Sequence, residues 1–322
     1  MTVSGTITFS VSRDNILNDA LAMVGAIGVE DTGTTAQITH AARQLNMIVK
    51  SWESFGIDLW ARQRFYILPQ QGADTTRPGE VSATTGQLTT SYTQTTIATN
   101  AANAATTISV TSATGFGSGY YVGVELDGGK MLWTTQSGAA VGTTVTLNTA
   151  LTTSASAGNF VYVYQTKANR PLRVVDMIRH NQQSGTDTPG EMVPLVDYNR
   201  LGYKPSSSYP FWLTYDPQMD LGGGAGMFYI YPTFADGKSL IMCYGQRSFD
   251  DFDASTDTPD FPQEYYLCMV YALAVVLAPT YGLPITDRQL LSKEADKAFA
   301  VASENEPEEG SFRIMPRNKI GQ

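Results

Sequence analysis

Apolar residues recur at helical spacing in two blocks near the ends of the chain, and in short strand-like runs between them. In the first block Leu17, Ala20, Leu21 and Val24 follow Ser12, which suits a helix N-cap, and Gly25 and Gly28 end the pattern. The next helix carries one stripe, Ile38, Ala41, Leu45, Ile48, Trp52 and Phe55, in steps of three and four. Thr34 or Thr35 caps its start and Gly56 stops it. The stripe reads as core. Its aromatic end, with Trp60, is alternatively a contact surface.

Phe65 to Leu68 then reads as a strand ended by Pro69. Ile108–Val110, Tyr120–Leu126, Met131–Thr134, Val145–Leu147 and Phe160–Tyr164 are short Val- and Thr-rich pieces that favour pleated backbone. Asp127-Gly128-Gly129 marks a hairpin turn. Such strands predict a small barrel or sandwich. Residues 86 to 107 show no core pattern and read as an extended arm or loop. After Arg170-Pro171 further strands are expected at Leu172–Ile178, Met192–Val196, Phe211–Tyr215, Met227–Tyr231 and Leu240–Tyr244, with Asp236-Gly237 as a turn. Tyr198, Tyr203, Tyr209 and Tyr215 fall among prolines, as a loop-rich aromatic patch.

Helices return at Pro262, where Tyr266, Met269, Val270, Leu273, Val276 and Leu277 cover enough of one helix to make it central. Thr286 to Gln289 fits a capping box opening the last helix, and Leu290, Glu294, Ala298 and Val301 follow. From Glu304 onward four glutamates precede Arg313, Arg317 and Lys319 with no apolar period, so this tail is expected to order only on a partner. The predicted class is α+β: a helical bundle made from the N- and C-terminal helix pairs, with a large β-rich middle that includes a small inserted β-barrel or sandwich. The expected divisions are 11–60 with 255–305 as the helical core, 61–83 with 167–254 as the β-rich region, 84–166 as the inserted module, and 306–322 as the extended tail.

Charge sharpens this picture. The 322 residues hold 21 Lys+Arg against 30 Asp+Glu, a net charge of −9, and only 16% are charged. Between Val81 and Thr166 the sole charges are Glu125, Asp127 and Lys130. Such a balance argues against general nucleic-acid binding, which needs clustered Lys and Arg. Tyr265 to Ala278 is free of charge, but fourteen residues rise about 21 Å as helix, short of the ~30 Å hydrocarbon layer. A buried core helix is expected there, with no membrane partner. No secretory signal pattern opens the chain, so assembly in a reducing cytoplasm is expected.

Little reactive chemistry stands out. Cys243 and Cys268 sit in apolar runs and read as buried hydrophobes. His40 and His180 lack further ligands at metal spacing. Gly222 to Gly226 lacks the Lys-Ser/Thr of a phosphate loop. Asp250, Asp251, Asp253, Asp257 and Asp260 lack the glycine and closing glutamate of a calcium loop, and read as a solvated segment before a helix N-terminus. No catalytic residue, cofactor or metal is expected.

The segments Ile16–Gly25, Ala42–Trp52 and Gly56–Trp60 together resemble the opening helix pair of phage head-to-tail adaptors, the head-completion or packaged-DNA stabilisation proteins of short-tailed phages. Phe261–Leu267 and Leu273–Gly282 look like that family's second helix block. The likeness covers the two helical ends, in matching order and spacing. The departure is the long β-rich middle, where a minimal adaptor is largely helical. What the resemblance implies is a ring, dodecameric in expectation, docked beneath the portal protein and carrying tail nozzle or fibre proteins. Genomic DNA would pass through it without sequence-specific binding. Its place would be the head-tail junction of the virion. The family's C-terminal segment runs along the portal, which here points to Phe312, Arg313, Ile314, Met315, Arg317 and Lys319. A competing class is a β-rich virion-surface or secreted module that binds glycans through Tyr120, Tyr121 and Trp133. An enzyme is a third class, for which the sequence names no acid or nucleophile.

Overall fold

The structure is a computed structural model that describes residues 9–53, 60–70, 79–83, 86–218 and 226–304. Along the chain run α1 (Arg13–Met23), α2 (Thr35–Trp52), β1 (Arg62–Ile67), β2 (Glu80–Ser82), β3 (Leu88–Thr89) and β4 (Thr93–Thr99). Next come β5 (Thr107–Val110), β6 (Tyr121–Glu125), β7 (Met131–Thr135), β8 (Thr144–Thr146), β9 (Phe160–Tyr164), β10 (Arg173–Asn181), β11 (Thr186–Pro189) and β12 (Glu191–Met192). After α3 (Leu195–Asn199) follow β13 (Ser207–Ser208), β14 (Trp212–Asp216), β15 (Met227–Tyr231), β16 (Thr233–Phe234) and β17 (Ser239–Gln246), then α4 (Tyr266–Leu277) and α5 (Ile285–Ser303). The class is α+β, with helices at the ends and a large β-rich middle. Two compact units form: one joins the residues up to Ala61 with those from Phe249 onward, and the other spans Arg62–Ser248.

In the helical unit Ser12 caps α1 through its side chain on the Asn15 amide. At α2 Thr34 and Gln37 close a reciprocal capping box, satisfying two amide donors that the helix start leaves open. Leu17 and Leu21 of α1, Leu45 and Val49 of α2, and Leu273 and Leu277 of α4 join one apolar cluster. The deepest line of α2 is Ala41, Leu45, Val49 and Trp52, so Val49 replaces the expected Ile48, which is only partly buried. Phe55 and Gly56 lie outside the described residues. Trp60 stacks on Phe249 with centroids 4.8 Å apart and tilts against Phe261.

Two expectations for the last helix fail. Pro284 occupies the N-cap of α5 and no side chain caps it, because the helix starts one residue before Thr286. The inner face is Leu291, Ala298, Phe299 and Ala302; Leu290 and Val301 point to solvent. Packing against α4 turns inward the face carrying Phe299, whose ring meets Trp52 at 5.5 Å. No helix among the described residues is long and apolar enough to cross a membrane.

The β-rich unit is built in layers. One sheet has the order β11-β10-β17-β1-β3, and its partners are antiparallel. Alternation sends Phe65, Ile67, Ile241 and Cys243 to one face, against Leu213, Phe228 and Ile230 of a second sheet, β12-β14-β15-β2. Tyr66, Leu240 and Met242 point to the other face. Burial on both faces explains the unbroken apolar run Leu240–Tyr244 in β17.

The third sheet, β7-β6-β9-β4-β5-β8, spans the charge-poor segment. Its first and last strands meet through Gln136 and Leu147, with Ser137 N–H donating to Thr146 O at 2.8 Å, so the sheet rolls around its own core. The Asp127 turn forms as expected: Gly129 takes φ 76° and its N–H donates to Leu126 O at 2.8 Å. Residues 86–107 are no coreless arm. They supply β3, β4 and the start of β5, with Leu88, Ile97 and Ala101 buried. A strand that alternates Thr with one Ile buries little oil and shows no strong pattern, yet Thr95 and Ile97 face inward. The strand expected over Met192–Val196 stops at Met192, because Pro194 takes the N-cap of α3.

Candidate functional site

A concave surface of the helical unit lies along α2. One wall is α2 itself, with Thr39, Arg43 and Met47 at successive i, i+4 steps on its outer side. The other wall is the chain at Asp251–Asp253, and Ile38, Ala42 and Phe252 contribute apolar surface. The cleft has a volume of about 660 Å³.

Side chains of α2 hold the second wall in place. Asn46 donates from Nδ2 to Phe252 O at 3.3 Å and accepts the Phe252 N–H at 3.0 Å. Lys50 Nζ donates to Phe249 O at 2.6 Å, and Glu53 Oε1 accepts the Phe249 N–H at 2.8 Å. Lys50 also pairs with Asp251 at 3.1 Å and Glu53 at 3.2 Å. Burial alone would lower its pKa, but the hydrogen bonds from Asp251 and Glu53 outweigh that and hold it above the usual lysine value. Arg13 pairs with Asp14 at 2.8 Å and donates to Asp253 O at 2.9 Å. Two charges of the cleft are left over: among the described residues neither Arg43 nor the Asp253 carboxylate has an ion-pair partner. Met47 is 51% exposed between them.

The five aspartates before α4 organise their own loop. Asp257 Oδ2 accepts the amides of Asp253 at 2.9 Å and Ala254 at 2.6 Å. The Asp257 carbonyl accepts the Arg13 N–H at 2.7 Å, so this loop caps α1 as well as leading to α4. Among the described residues no group of three metal-ligating side chains converges.

The aromatics considered for glycan binding are half-buried and make contacts inside the chain. Trp133 donates from Nε1 to Pro69 O at 2.9 Å and its ring packs at 5.9 Å from Tyr164. Tyr121 stacks on Tyr164 at 4.9 Å, and Tyr120 packs on the core of the rolled sheet. With Tyr162, whose hydroxyl donates to Gly237 O at 2.6 Å, these rings bind the rolled sheet to the outer face of the five-stranded one. Glu125 Oε1 and Oε2 accept the amides of Gly237 and Phe160 at 3.1 and 3.0 Å across the same seam.

The remaining candidates are quiet. Cys243 and Cys268 are free and buried, and burial pushes both thiols up to about 12. His40 sits 3.5 Å from Gln44, and His180 pairs with Asp187 across β10 and β11 at 2.6 Å. Of the Gly-rich run only Gly226 is described, packed over the Tyr215 ring. The expected portal-docking residues Phe312, Arg313, Ile314, Met315, Arg317 and Lys319 lie outside the described residues. Sequence reasoning passed over Arg43 and Met47, although their four-residue spacing on the polar side of α2 was visible.

No protein-family model matches the chain, and no curated protein matches it. Among solved structures it is similar to the Gp54 tailspike of Acinetobacter baumannii bacteriophage AP22, determined with a capsular saccharide. That likeness is 17% identical with a TM-score of 0.21, and it covers 23% of this chain and 15% of the tailspike. A match of that size carries neither fold nor function across.

Proposed function

We propose that the chain is a non-enzymatic head-to-tail adaptor of a short-tailed phage virion. Copies form a ring beneath the portal, extend the DNA channel and present the β-rich unit to nozzle or fibre proteins. The observation that carries this reading is the shared apolar cluster of α1, α2 and α4. The two sequence blocks that resemble the adaptor family, some 200 residues apart, belong to one packed unit. The low charge agrees with surfaces shared between copies, and assembly in the host cytoplasm agrees with two free cysteines. Of the residues named for the glycan reading, Tyr121 and Trp133 also make contacts within the chain.

The test is electron microscopy of the full-length chain mixed with portal assemblies, scoring rings at one face of the portal. Deleting residues 306–322 is expected to leave a folded protein that no longer binds portal. A full chain that ignores portal removes the adaptor reading, and undiminished binding after the deletion removes the role given to the tail.

A further inference from the structure

The outer face of α5 has no partner within the described unit. Leu290 and Val301 are 63% and 62% exposed, and Glu294 and Lys297 stand between them. These four side chains follow one another in steps of four, three and four, on one side of the helix and over about 16 Å. Glu294 and Lys297 face each other at 4.0 Å, a distance at which an exposed pair is weakly committed.

The cleft along α2 has the same length and the opposite charges. Thr39, Arg43, Asn46 and Lys50 are also spaced four, three and four, so the cleft runs about 16 Å. Its two uncompensated groups are Arg43 on the helix and Asp253 on the facing wall. Ala42 is small enough to let a helix come close, and Ile38, Met47 and Phe252 supply apolar surface. With the two helices parallel, Glu294 meets Arg43, Lys297 lies toward Asp253, and Leu290 covers Ile38 and Ala42.

We infer that the α2 cleft of one copy receives the outer face of α5 from a second copy. The inference rests on the adaptor reading for its purpose, since it names the contact that would join ring neighbours. Its support is the match in charge, apolar content and length. The two surfaces differ, so the contact is heterologous and must propagate into a closed ring or an open filament. A helix face about 16 Å long and 10–12 Å wide covers far less than the ~800 Å² per partner of a stable interface. One contact is therefore weak, and association becomes firm only when copies are held together.

Sedimentation velocity of the full-length protein from about 5 to 500 µM at low salt tests this. The wild type is expected to associate at the upper end. Arg43→Glu and Glu294→Arg should each weaken association about tenfold, and the double variant should regain it, because the pair is then reversed. Both positions of the swap are exposed, and thermal melts monitor folding. A wild type that stays monomeric throughout, single variants that associate normally, or a double variant that fails to recover would each overturn the inference. Rings on portal are scored separately. Rings formed equally well by the single variants refute this contact and leave the adaptor reading standing. Absent rings beside a rescued double swap refute the adaptor reading and leave the contact.

Discussion

Replacing Trp133 with alanine tests whether the aromatic seam of the β-rich unit is structural. The indole packs among Tyr121, Tyr164 and Leu68, and its N–H reaches Pro69 O at 2.9 Å. It also covers Gly123, where any added Cβ would lie 2.6 Å from the ring. Truncating a buried Trp costs about 3–5 kcal/mol, and this ring is partly exposed, so about 3 kcal/mol is expected. For a unit of this size that lowers the melting temperature by about 9 °C. Trp133→Phe keeps most of the ring and loses the hydrogen bond, leaving the Pro69 carbonyl short of a donor; about 1 kcal/mol, or about 3 °C, follows. Differential scanning calorimetry of the full chain resolves both. Variants that melt with the wild type would refute the structural role. So would Trp133→Ala that keeps its stability while losing binding to a saccharide.

Thr34→Ala removes half of the α2 capping box and should cost about 1 kcal/mol, read as a lower denaturation midpoint without a change in slope. The cysteines predict a pH effect: folding raises both thiols from 9.0 to about 12, so the native state favours the neutral form. Their stabilising contribution is intact below pH 9 and lost as pH climbs toward 12, because the unfolded chain releases these protons first. Urea titrations between pH 8 and 11 should show the decline, and Cys243→Ala with Cys268→Ala should flatten it; an equally steep decline in that double variant would contradict the assignment.

Elements with strong local signals were legible in the sequence. Ser12 and Thr34 announced two helix starts, and Asp127-Gly128-Gly129 announced its hairpin. What escaped depends on distant partners. Strand β4 alternates Thr with a lone Ile97, and only β9 and β5 on either side make Thr95 an inward residue. For α5 the sequence reading followed Leu290, Glu294, Ala298 and Val301, whereas Phe299 meeting Trp52 sets the inner face. The cleft along α2 needed Asn46 and Lys50 to grip a segment about 200 residues later, which no spacing rule encodes. Half of that site, the Thr39, Arg43 and Met47 line, could have been noticed from periodicity alone.

Along its strands, the scarcity of charge between Val81 and Thr166 has a physical cause inside one chain. This segment must roll around a core of its own and also lay an aromatic face on a second sheet. Few strand positions remain where a charged head could stay in water, and a buried charge without partners is costly. Two of the three charges that persist serve as acceptors. Glu125, nearly buried, takes the amides of Phe160 and Gly237. Asp127 takes the Ser154 hydroxyl at 2.6 Å, the Ser156 amide and Asn159 Nδ2, and these bonds, led by Ser154, hold its carboxyl below the usual range. Acidic pH should therefore loosen this corner late: its stability is present above the ordinary aspartate range and fades only as pH falls through the depressed value. Elsewhere Thr and Asn side chains fill the polar role by bonding backbone, as Thr89 does to Thr166 O and Asn159 to Glu125 O. Double-sided packing thus accounts for the uncharged strands of this segment, while its exposed turns carry Thr, Ser, Asn, Ala and Gly.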